Sequence, residues 1–198
     1  MKSWRQFHPQ WHYRCLDREC AADWFATHHG ANLKNAFLDI RLPAMQADVF
    51  RIAWLITEGG LWIDAATTCL SPVENWLDLN SPLLLLRKPH QEHPKVCSGL
   101  IYTASPSHPL LVAAWQSIQT SLLARTGTKV YRSFGPGLLR DLLASGRWDD
   151  TLTIRPVTEL KAHLQFGSSS KVLPAEQHWS RRQQSESLYF SECPPVSD

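Results

Sequence analysis

Residues 45–65 constrain the fold of this chain more than any other stretch. Met45, Val49, Ile52 and Ile56 recur at steps of four, three and four, which puts them on one face of a helix. Gly59-Gly60 follow at once and supply the flexible stop at which a helix ends. Leu61 to Ala65 then reads as a short buried strand. A helix running through two glycines straight into an apolar strand is the pattern of a layered α/β fold.

The rest of the chain repeats the alternation. Leu83–Arg87 and Gly99–Thr103 are apolar runs of strand length, and Thr151–Val157 alternates like a half-exposed strand. Ser107 and Pro109 open a helix as cap and first-turn residue, with Leu111, Trp115, Ile118 and Leu122 on its buried face. A further helix is predicted from near Gly137 to near Gly146, and a weaker one over Ala21–His28. The predicted class is α/β, with a mixed, largely parallel sheet flanked by helices. One domain is expected over residues 1–180. Residues 181–198 are polar, carry two prolines and are expected to form a mobile tail.

Composition bounds the function. A chain of 198 residues, 43% hydrophobic and 19% charged, has room for one domain with a real core. A net charge of +2 is too mild to argue for nucleic acid or an anionic membrane surface. No run approaches the roughly 18 apolar residues of a transmembrane segment. The first twenty residues do not read as a secretory leader, so the five cysteines are expected as free thiols in a reducing compartment. A cytoplasmic location, free or peripheral to a membrane, follows. Nine tryptophans suit either sugar-stacking platforms or core filling, and core filling is the default.

Chemistry concentrates in Ala47–Pro72. Asp48 and Arg51 are three apart and neighbour each other on one helix face. Such a pair holds a polyhydroxylated ligand by accepting from hydroxyls at the carboxylate and donating to them from the guanidinium. Asp64 stands at the carboxyl end of a strand, where open α/β sheets place ligands. Taken singly, the pair reads as a surface salt bridge worth about 0.3–0.5 kcal/mol, and Asp64 as a turn residue. Their combination in one short span favours a site. Other signals are weaker. His8, His12, Cys15 and Cys20 do not have the spacing of a standard zinc finger. His90 and His93 read as a solvated loop, Gly135-Pro136-Gly137 as a helix-starting turn, and Arg181-Arg182 as too short a basic run for nucleic acid.

The span containing Ala47-Asp48, Arg51, Gly59-Gly60, LWID, Cys69-Leu70 and Pro72 resembles the DXD sugar-binding region of glycosyltransferases. The resemblance is to capsular polysaccharide synthesis enzymes and a related superfamily of mannosyltransferases. Trp4–Tyr13, Gly99–Leu110, Phe134–Leu138 and His178-Trp179 are similar to further elements of that family, at lower specificity.

The resemblance implies a Rossmann-like single domain of the GT-A type, a UDP- or GDP-sugar donor, a glycan acceptor and a divalent metal, Mn2+ or Mg2+. Carried over by position, Asp48, Arg51, Gly59 and Gly60 would form the donor-sugar site. Asp64, Ala66 and Thr67 would form the nucleotide and metal region, with Asp64 and His178 as metal ligands. No catalytic base is implied. Two departures stand out. Ala66 occupies the position of the second DXD aspartate, and nothing in residues 1–20 matches an early strand that helps form the family's nucleotide site. They motivate an alternative, a catalytically degenerate relative that binds sugar or acts as an assembly partner.

Overall fold

The structure, a computed structural model, describes residues 2–89, 95–148, 151–167 and 178–191. His90, His93, Cys193 and the end of the polar tail lie outside the described residues.

Four helices lead into the first strand: α1 (Lys2–Phe7), α2 (Arg18–His29), α3 (Ala31–Leu38) and α4 (Pro43–Thr57). Asp17 caps α2, accepting from the Cys20 amide at 2.8 Å. Gly30, at φ 88°, separates α2 from α3 in a conformation other residues rarely take. Pro43 occupies the first turn of α4, where its missing N–H costs nothing. Met45, Val49 and Ile52 are buried as the periodicity predicts.

The strands β1 (Gly60–Ile63), β3 (Leu83–Lys88), β4 (Lys95–Thr103) and β5 (Thr153–Pro156) form one sheet in the order β1-β4-β3-β5. The mixed α/β sheet is present. It is less parallel than predicted, because only β3 pairs with β5 in parallel while β4 runs antiparallel to both β1 and β3. The β3–β4 connection is short enough to be a hairpin, and a hairpin forces antiparallel pairing. A second sheet pairs β2 (Thr67–Cys69) with β6 (Leu164–Phe166).

Strand alternation divides the core between two faces of the larger sheet. Leu83, Leu85 and Ile101 pack with α2–α4, α5 (Pro109–Ala124) and α7 (Pro136–Leu143). Leu84, Leu86, Leu100 and Tyr102 pack with Trp4, Cys69, Trp76 and Leu164. β3 is thus buried on both sides, which explains its unbroken leucine run. In α5 the predicted face Leu111, Trp115, Ile118 and Leu122 is buried. Its cap is His108 rather than Ser107, because the Leu110 amide donates to the His108 ring at 3.3 Å.

α1 closes the second face. Trp4 Nε1 donates to the Thr67 carbonyl at 2.9 Å, Ser3 Oγ accepts from the Cys69 amide at 3.1 Å, and His8 Nε2 accepts from the Val73 amide at 3.0 Å. His8 is therefore committed to the backbone rather than to a zinc pattern. A short helix α6 (Val130–Ser133) precedes α7, and α8 (Trp179–Ser185) follows β6. Residues 181–191, expected as polar tail, carry most of α8 and then a docked segment. Ile40 bridges Tyr189, the Arg41 amide donates to the Leu188 carbonyl, and Leu188 and Tyr189 are buried. Two apolar residues in a polar stretch supply the anchor.

Candidate active site

α4 and β1 place three charged side chains together. Arg51 lies on the sheet-facing side of α4 and is 5% exposed, while Asp48, one turn earlier, is 13% exposed. β1 ends at Ile63, so Asp64 is the first residue past the strand, on the same face as Trp62. Arg51 Nη1 donates to Asp48 Oδ1 at 2.5 Å and Nη2 donates to Asp64 Oδ1 at 3.1 Å. One guanidinium therefore joins the helix carboxylate to the strand-end carboxylate. The reading of Asp48 and Arg51 as a surface pair is excluded by this burial.

Trp62 completes the arrangement. Its indole N–H donates to Asp64 Oδ1 at 3.2 Å, and its ring lies 5.2 Å from the Arg51 guanidinium, within cation–π range. Arg51 Nε is buried and has no hydrogen-bond partner among the described residues. Burial pushes the Asp48 carboxyl up to about 6, against the pull of Arg51 and helped by the negative charge of Asp64. The cluster has one fixed cation and two carboxylates, an arrangement that both accepts from and donates to hydroxyls.

The chain after Asp64 is tightly folded. The Asp64 carbonyl accepts from the Thr67 amide at 2.9 Å. Thr67 is buried on β2, with its carbonyl taken by Trp4. Ala66 is exposed, and its carbonyl accepts from the Gly167 amide at 3.0 Å. Gly59 and Gly60 stand at the opposite end of β1 from Asp64. There they turn the chain at φ 71° and 88°, and they make no part of the carboxylate cluster. His178 caps α8, its Nδ1 meeting Ser180 Oγ at 2.7 Å.

Asp64 is the half-exposed carboxylate of the cluster. Its Oδ1 is engaged by Arg51 and Trp62, and a Cβ on Gly99 would stand 3.2 Å from its Oδ2, so the bare glycine leaves that oxygen room. Among the described residues no three His, Cys, Asp or Glu side chains gather as a metal cage. One open carboxylate oxygen fits a hard cation that takes most of its ligands from phosphates and water, as Mg2+ commonly does.

Sequence reasoning did not assign Trp62 or Gly99 to the site, and read Gly135 only as part of a helix-starting turn. Trp62 was legible in principle, as the inward residue two before Asp64. The glycines act through contacts across the fold that no local pattern encodes.

Residues 1–82 match the family model described as glycosyltransferase sugar-binding region containing DXD motif, a span that includes Asp48, Arg51 and Asp64. The chain is also similar to the initiation-specific alpha-1,6-mannosyltransferase of Schizosaccharomyces pombe, 25% identical over 167 residues. That alignment covers 71% of this chain and 42% of the relative's length.

Proposed function

We propose that this chain binds a nucleotide-diphosphate sugar and transfers its hexosyl group to a glycan acceptor. The donor is a UDP- or GDP-sugar, and mannose is the first sugar to test, given the name of the yeast relative. The acceptor is a surface or capsular polysaccharide, extended at the cytoplasmic side of a membrane. The observation that carries this reading is the bridge from Asp48 through Arg51 to Asp64.

In this scheme Asp48 accepts from donor-sugar hydroxyls, and Arg51 holds its carboxylate in place. Trp62 and Arg51 hold Asp64 with one oxygen turned toward the diphosphate. A divalent cation, Mn2+ or Mg2+, neutralises the charge that develops on the leaving diphosphate. Asp64 is the residue assigned to it, while His178 is engaged in capping α8. No side chain is assigned as catalytic base, and a leaving diphosphate that assists its own departure needs none.

Calorimetry with UDP-glucose and GDP-mannose, with and without Mn2+, followed by a transfer or donor-hydrolysis assay, tests the proposal. Binding of one donor and turnover abolished by Asp64→Ala are the expected results. No binding of either donor sinks it. One observation favours a second reading, a sugar-binding relative without turnover: Ala66 offers no side-chain ligand at the second DXD position. Donor binding with no turnover under any metal would select that reading.

A further inference from the structure

We propose that Gly135 is a positioning residue for Asp48, and that the absence of a side chain there sets the grip on the donor's sugar. The inference rests on the donor-binding reading above and concerns a residue outside the span matched by the family model.

Gly135 is the N-cap of α7, held by its own amide donating to the Val130 carbonyl at 2.9 Å and its carbonyl accepting from Leu138 at 3.1 Å. A Cβ at this position would lie 2.6 Å from Asp48 Oδ2. The next contacts, the carbonyls of Tyr131 and Val130, are at 3.3 Å. The backbone of Gly135 therefore forms the wall against which the second Asp48 oxygen rests, while the first is held by Arg51. Its φ of −108° is open to any residue, so backbone conformation does not demand glycine here. The space does.

The contact also says what yields when that space is filled. The obstructing atom is the end of a side chain, which moves more easily than backbone. Gly137, one residue past Pro136, makes the contrast: a Cβ there would stand 2.7 Å from the Tyr131 carbonyl and 2.7 Å from its ring carbons. Substitution at 137 strains the backbone of α6, whereas substitution at 135 turns the Asp48 carboxylate away from Arg51. An alanine at 135 thus acts on the Asp48–Arg51 contact and leaves the backbone around it in place.

The test compares Gly135→Ala, Asp48→Ala and the double variant, with GDP-mannose and UDP-glucose as sugar donors and GDP and UDP as sugar-free probes. Gly135→Ala is expected to weaken the donor that wild type binds by at least about tenfold, a loss of about 1.4 kcal/mol. The matching nucleoside diphosphate is expected to bind within about twofold of wild type. In the Asp48→Ala background the second substitution adds nothing, because the oxygen it displaces is gone. Equal donor affinity in Gly135→Ala overturns the inference, as does an equal loss for donor and nucleoside diphosphate or a full loss repeated in the Asp48→Ala background. If wild type binds neither donor, the donor reading fails by itself. A crystal structure of Gly135→Ala then decides the inference: an Asp48 carboxylate displaced from Arg51 supports it, and an unmoved one overturns it.

Discussion

At the scale of single residues, Asp48 and Arg51 make opposite predictions. Folded Asp48 keeps its proton up to about pH 6, against an ordinary value of 3.8. The stability this contributes is fully present below pH 3.8 and is lost as pH rises through about 6. Asp48→Asn mimics the protonated form and keeps an acceptor for Arg51. It is expected to be more stable than wild type at pH 7 by on the order of 1–3 kcal/mol, with the gap closing near pH 4 in urea titrations. The same variant should bind donor more weakly, as a site that trades stability for function does. Arg51→Met leaves two carboxylates facing each other beneath a half-buried indole. It should cost about 3 kcal/mol in the same assay. The spacing of Asp48 and Arg51 was legible in the sequence, and so was the strand-end place of Asp64. That Arg51 turns inward to join them was not, because it depends on how closely α4 lies against β1.

At the scale of elements, the turn between α4 and β1 decides whether the cluster assembles. Gly59 has φ 71°, and a Cβ there would meet the Ser105 carbonyl carbon at 3.2 Å and the Pro106 nitrogen at 3.3 Å. Gly60 has φ 88° with open space around it. Gly59→Ala is expected to lose about 2–3 kcal/mol, combining left-handed strain with backbone crowding, and Gly60→Ala only about 1 kcal/mol. Equal losses in thermal unfolding would show that crowding at 59 is relieved elsewhere. Both glycines end the helix as the sequence predicts, and they stand at the far end of β1 from the carboxylate cluster. Long periodic elements such as α4 and α5 were legible within a few residues. β2 and β6, three residues each, were not, since so short a run shows no alternation. α1 was missed for a related reason: one buried residue, Trp4, gives no periodicity to read.

At the scale of the whole molecule, sheet order and the fate of the C-terminal segment needed the structure. Apolar runs say that strands exist and are buried, but pairing is a long-range choice. A four-stranded sheet with one parallel pair reads, residue by residue, much like a parallel one. The segment after α8 misled for the opposite reason. Its polar composition outweighed two anchors, Leu188 and Tyr189, which fill the groove beside Ile40. Asp39 reinforces the dock by accepting from the Ser191 amide and hydroxyl at 2.8 and 2.6 Å and from Arg125 at 2.8 Å. Residues distant in sequence, at 39, 125 and 191, are thereby tied at one corner of the helical layer. Deleting residues 186–198 removes the cover that Tyr189 gives Ile40 and leaves Asp39 with Arg125 alone. Burying two such side chains is worth about 3 kcal/mol once chain ordering is subtracted. For a domain of this size that corresponds to a fall of about 6–12 °C in the thermal midpoint, read by differential scanning calorimetry. A truncated chain that melts with wild type would mean the segment lies on the surface without contributing to the domain.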